Sequence, residues 1–140
     1  MLPENTFYRC DNLERVTLGS NLRTVETHAF ALTPRLETVI VPSGASIGPY
    51  AFWFSGVMEL VLDHPDVQFS DLALSCVPML ERVSYVGGLD RWNRIANALK
   101  IGADQIYLMT DGVQYYLIQY SEDRYGENGM WEYVVDEWGI

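Results

Sequence analysis

The chain has 140 residues, 49% of them hydrophobic and 13% aromatic, which argues against disorder, a state that goes with few aromatics, and is enough for one domain with a real core. Its formal net charge of −10 argues against direct nucleic-acid binding, because that affinity rests on Lys and Arg neutralising phosphates. No run of about 18 apolar residues is present, so no membrane span is expected.

Met1 to Asn5 lacks the basic and hydrophobic segments of a signal peptide. Leu2-Pro3 followed by Phe7 reads as the tail of an earlier repeat, and residues 1 to 6 are too few to cover a first turn. The N-terminal edge is therefore expected to be uncapped, to be completed by preceding repeats or by another subunit, which keeps homo-oligomerisation open.

From there one pattern recurs. Leu13-Glu14-Arg15-Val16, Leu36-Glu37-Thr38-Val39, Met58-Glu59-Leu60-Val61 and Leu80-Glu81-Arg82-Val83 start at 13, 36, 58 and 80, steps of 23, 22 and 22 residues. Three further columns keep the register: Phe7, Phe30, Phe52 and Leu74; Val25, Ile47 and Phe69; Ala29, Ala51 and Ala73. Apolar residues of similar size at a fixed interval are what stacked coils demand, since each coil lays its side chain over the equivalent one. The expected fold is a repeat solenoid of short parallel β-strands, leucine-rich-repeat-like, with about 3.5–4 turns of 22–23 residues and an α+β C-terminal cap.

Within each repeat Leu13, Val16 and Leu18, and then Leu36, Val39 and Val41, point to the core. The face pointing away carries the column Glu14, Glu37, Glu59 and Glu81, four carboxylates about 4.8 Å apart and mutually repulsive unless cations or water intervene. Arg15 and Arg82 sit beside the outer two, Thr38 and Leu60 beside the inner two, and Thr17, Ile40, Leu62 and Ser84 follow. An apolar middle of Ile40, Leu60 and Leu62 framed by Glu37 and Glu59 has the anatomy of a protein interface. Two competing accounts stand beside it: a polar face inherited from repeat ancestry, or side chains covered by the cap or the return segment. Trp53 and Phe54 add aromatic area at a turn, one expected in the core and one as an anchor.

Chemistry-bearing residues form no catalytic pattern. His28 and His64 are the only histidines and belong to no metal motif, and neither G-x-S-x-G nor a P-loop occurs. Asp63, Asp66 and Asp71 fit no calcium loop. Cys10 and Cys76 lie three repeats apart, roughly 14 Å at strand spacing, so no bridge between them is expected. The reading is of a non-enzyme without cofactor or metal.

After the fourth strand Gly87-Gly88 leads into Leu89 to Lys100, where Leu89, Trp92, Ile95, Ala96 and Leu99 share one face of a helix of about three turns ending at Gly102. Strands follow at Ile106 to Met109, Gln114 to Tyr120 and Trp131 to Val135, with a hairpin turn at Asp111-Gly112 and a longer polar loop from Ser121 to Gly129. Residues 1–86 are expected to form the solenoid and 87–140 its cap, as one compact unit.

Phe7-x-x-Cys10-x-x-Leu13-x-x-Val16 and Ile47-Gly48-x-x-Ala51-Phe52, with Val41-Pro42 at a strand end, resemble the BspA-like leucine-rich repeat family, whose turns read I-G-x-x-A-F-x-x-C-x-x-L-x-x-I-x-I-P. Tyr85-x-Gly87-x-x-x-x-Trp92-x-x-Ile95 is similar to the segment after that family's last repeat, with Gly88 where Thr is usual. The likeness spans about residues 2 to 96. Thr33, Ser55 and Val77 stand at the usual Cys position, Cys76 is displaced by one and Leu74 replaces Phe. The resemblance implies a non-enzymatic protein-binding and adhesion module, on the cell surface or secreted if the chain is a fragment. A complete chain without a signal peptide would be cytoplasmic. That second case, with the acidic charge, motivates an alternative: a small, phage-encoded inhibitor occupying the basic groove of a nucleic-acid-binding enzyme. A third reading, an active site around Trp131 to Trp138, has no constellation behind it.

Overall fold

The computed structural model describes residues 1–70, 72–74, 76–96, 105–119 and 131–135. Along the chain run β1 (Arg15–Thr17), β2 (Thr24–Val25), β3 (Thr38–Val41), β4 (Ser46–Ile47), β5 (Glu59–Leu62), β6 (Gln68–Phe69), β7 (Arg82–Tyr85), α1 (Leu89–Ala96), β8 (Gln105–Thr110), β9 (Val113–Gln119) and β10 (Trp131–Val135). Each of the first three coils contributes one longer and one two-residue strand, and the fourth, among the described residues, contributes β7 alone. The longer strands form a seven-stranded sheet in the order β1-β3-β5-β7-β8-β9-β10, and the short ones a second sheet, β2-β4-β6.

The core columns are those the repeat spacing demands. Phe7, Phe30 and Phe52 stack with centroids 5.2 and 5.4 Å apart and ring planes within 10° and 9°. Val25 aligns with Ile47, and Ile47 with Phe69, while Ala29, Ala51 and Ala73 are fully buried. Small Ala beside the Phe ladder lets successive coils approach to strand spacing. Leu2 makes a parallel bridge to Val25, and its N–H donates to the Thr24 carbonyl at 2.8 Å, so Leu2 does take the place of a preceding coil's second strand. Gly56 lies where coils come nearest: a Cβ there would collide with the Pro34 carbonyl.

One register differs from the tetrapeptide reading. Val39 pairs with Leu60 and Leu60 with Val83, while Glu59 pairs with Thr38 and Arg82. The third repeat is thus read from Val57: the leucine position runs 36, 57, 80, steps of 21 and 23, with Leu36, Val57 and Leu80 all buried. A one-residue slip exchanges the two faces of a strand. Leu60 and Leu62 consequently lie in the core, 1% and 0% exposed, and are not outward residues.

Each coil turns through residues with left-handed backbone. Asn5, His28 and Tyr50 hold one corner (φ 59°, 56° and 56°), and Arg9, Leu32, Phe54 and Cys76 hold a second (φ 60°, 55°, 51° and 54°). Cys76 is therefore the counterpart of Phe54. The column beside it is Cys10, Thr33, Ser55 and Val77, the last three buried. Cys10 and Cys76 are half-buried thiols in neighbouring columns of that corner, on different coils.

Past β7 the sheet continues. β8 pairs with β7 in parallel and β9 returns antiparallel through a two-residue turn, Asp111 (φ 55°) and Gly112 (φ 72°). Two consecutive positive φ values are the primed hairpin geometry expected of Asp-Gly. Trp92 of α1 is fully buried, its ring 6.1 Å from that of Tyr85. Gly88 (φ 90°) precedes the helix without a capping side chain. Asp111 supplies one from the hairpin, its Oδ2 accepting from Leu89 N at 3.2 Å, while Thr110 Oγ1 accepts from Gly88 N at 3.1 Å. The expected continuation of the helix to Leu99 and Gly102 lies outside the described residues, as do Asp71, the Ser121 to Gly129 loop and Trp138.

Candidate interaction surface

Alternation along β1, β3, β5, β7 and β8 presents two rows on the outer face of the large sheet. One row is Arg15, Thr38, Glu59, Arg82 and Tyr107; the other is Thr17, Ile40, Val61, Ser84 and Met109. Behind them Val39, Leu60, Val83 and Leu108 are buried, so the rows stand on a rigid floor.

Of the residues singled out from sequence, Ile40 lies on this face, half-buried, and its cross-strand neighbour is Val61. Glu14, Glu37 and Glu81 do form a column at the strand entrances, but Met58 takes the third place: Met58 N donates to Glu37 O at 2.9 Å and Glu81 N to Met58 O at 2.8 Å. A continuous four-carboxylate ladder is therefore absent. Glu59 lies one position along, with its Oε2 3.9 Å from Arg82 Nε. Both groups are solvated, so the pair neutralises the row more than it stabilises the fold. Leu60 and Leu62 are removed from the surface altogether.

Val61, Tyr107 and Met109 were not legible as surface residues. Tyr107 and Met109 are 38% and 43% exposed, and the Tyr107 ring lies 5.0 Å from that of Tyr116. Val57, an apolar residue three before Leu60, was the signal for the third repeat's true register. Beyond the strand ends, Val61, Asp63, Ser84, Val86, Met109 and Asp111 help line a groove of about 390 Å³.

Trp53 lies elsewhere, half-buried at a coil corner among Tyr8, His28, Tyr50 and Phe54. His28 thus belongs to an aromatic group, while His64 Nδ1 accepts from Asp66 N at 3.0 Å. Asp66 also binds Arg91 at 3.0 Å, and Arg91 and Tyr85 both donate to the Pro65 carbonyl, at 3.2 and 2.6 Å. Burial pushes the Tyr85 phenol above its ordinary pKa, partly opposed by the Arg91 cation. These contacts tie α1 to the return loop after β5 and bring together no nucleophile and base.

A family model for the BspA type leucine-rich repeat region, six copies, matches residues 1–87. No curated protein and no solved structure gives a significant match. Among the described residues no helix is long and apolar enough to cross a membrane.

Proposed function

The chain belongs to the BspA-type leucine-rich repeat family through residues 1–87, and from that premise we propose that it is a non-catalytic protein-binding module working through the outer face of its large sheet. The observation that carries this reading is the row Ile40, Val61, Ser84 and Met109, apolar for most of its length and flanked by the Glu59–Arg82 pair. An apolar centre with a charged margin suits a protein partner. Adhesion at a cell surface is the setting the family resemblance supports.

A double variant, Ile40→Asp with Val61→Asp, tests it: partner capture is lost while circular dichroism at the assay temperature stays close to the parent, the melting temperature falling by the several degrees that about 1 kcal/mol per site implies. Retained capture would refute the outer face. The acidic inhibitor is kept as a second reading because of the net charge of −10. Steep weakening of capture by salt favours that reading, whereas an apolar contact survives salt. Arg15 and Arg82 on the same face support the apolar contact, since they interrupt any uniformly acidic surface.

We read residues 1–86 as the solenoid and 87–140 as its cap; that the two pack as one unit is supported by the parallel pairing of β8 with β7. β1 ends the sheet order, and Leu2, Phe7, Leu13 and Val16 are only partly covered. That supports the β1 edge as the place where a further coil or a second copy docks.

A further inference from the structure

The aromatic residues at the coil corners form a second surface, away from the outer sheet face. His28 and Tyr50 stack in successive coils with centroids 5.5 Å apart and planes within 12°. Trp53 meets both edge-on at 6.0 and 6.5 Å, Phe54 meets Trp53 at 4.7 Å, and Tyr8 meets His28 at 6.4 Å. Tyr8 and Phe54, at the two ends of the group, are 39% and 50% exposed.

Folding does not ask for rings at these positions. Tyr50 and Phe54 are left-handed, a conformation strained for bulky side chains and easier for Asn and His, which the first corner uses at Asn5 and His28. Leu32 and Cys76 show that the second corner accepts other side chains without an aromatic group. The chain therefore holds two rings, Tyr50 and Phe54, where a smaller polar residue would suit the backbone better.

We propose that this patch is a binding site for an arginine-rich segment of a partner protein. Residues 48–57 carry no charge, yet the chain as a whole carries −10, so a basic segment is drawn to the molecule and meets ring faces at this corner. Arg9 shows the mode within the chain itself: its guanidinium carbon sits 5.7 Å from the Tyr8 ring centroid. Arginine suits the site better than lysine because its planar, weakly hydrated guanidinium stacks on aromatic faces.

The test is calorimetric titration of the full chain with nona-arginine and nona-lysine at about 0.15 M salt, where the Debye length is about 8 Å. Nona-arginine is expected to bind more tightly than nona-lysine. Phe54→Asn is expected to weaken arginine binding by about two- to fivefold while keeping or raising the melting temperature. Equal affinity for both peptides would mean net charge alone acts, and overturns the proposal. So would an unweakened Phe54→Asn. If Phe54→Asn melts well below the parent, Tyr8→Ser decides: weakened arginine binding upholds the site, and unchanged binding removes it.

Discussion

Leu62 and Val61 are neighbours on β5 with opposite surroundings, and the contrast is measurable. Leu62 is fully buried between coils, so Leu62→Ala should cost about 2–5 kcal/mol in urea unfolding, whereas Val61→Asp on the half-open face should cost only about 1 kcal/mol. Tyr85 gives a second residue-scale prediction. Burial favours its neutral phenol in the folded chain, so its contribution is complete below the ordinary value of about 10 and is lost as pH rises through the higher folded value. Stability of the parent should therefore fall in that alkaline window. Tyr85→Phe starts about 1 kcal/mol lower at neutral pH, having lost the donor to Pro65, and should lack that alkaline step. A parent curve parallel to that of Tyr85→Phe would show that the phenol is not held neutral.

At the scale of elements, α1 depends on a cap that comes from another element. Asp111 lies on the β8–β9 turn yet accepts from Leu89 N, and the opening of a helix leaves such donors without intrahelical partners. Asp111→Ala should lower stability by about 1 kcal/mol, while Asp111→Asn, which keeps an acceptor and tolerates the left-handed turn, should lose much less. Equal losses would mean that the negative charge matters rather than the cap. No sequence rule places a cap 22 residues away, which is why Gly88 looked like a bare departure from the family pattern. The coils themselves were legible because Phe, Ala and aliphatic columns repeat in kind as well as in spacing. The outer face was legible only in part. In the third repeat Met58-Glu59-Leu60-Val61 mimics the Leu-Glu-x-Val signature one residue late, and the alternation of Val57, Leu60 and Leu62 had to compete with that likeness. The corner rings escaped notice as a group because turns have no apolar periodicity; their neighbourhood comes from stacking of whole coils.

For the whole molecule the acidic excess is a load the fold carries. Two ion pairs are formed among the described residues, Arg82–Glu59 at 3.9 Å and Arg91–Asp66 at 3.0 Å, and all four side chains are substantially solvated. Such pairs contribute about 0–1 kcal/mol each, while the net charge of −10 over the whole chain sets up a general repulsion. Screening should act on the two effects unequally. At about 1 M salt the Debye length falls to about 3 Å, which removes the repulsion summed over the surface and forfeits the small gain of solvated pairs such as these. The melting temperature in scanning calorimetry should accordingly rise from low to high sodium chloride, with Glu59→Gln showing the same rise. A fall on adding salt would mean that specific ion pairs, and not the coil-on-coil apolar ladders, dominate the electrostatics of the solenoid.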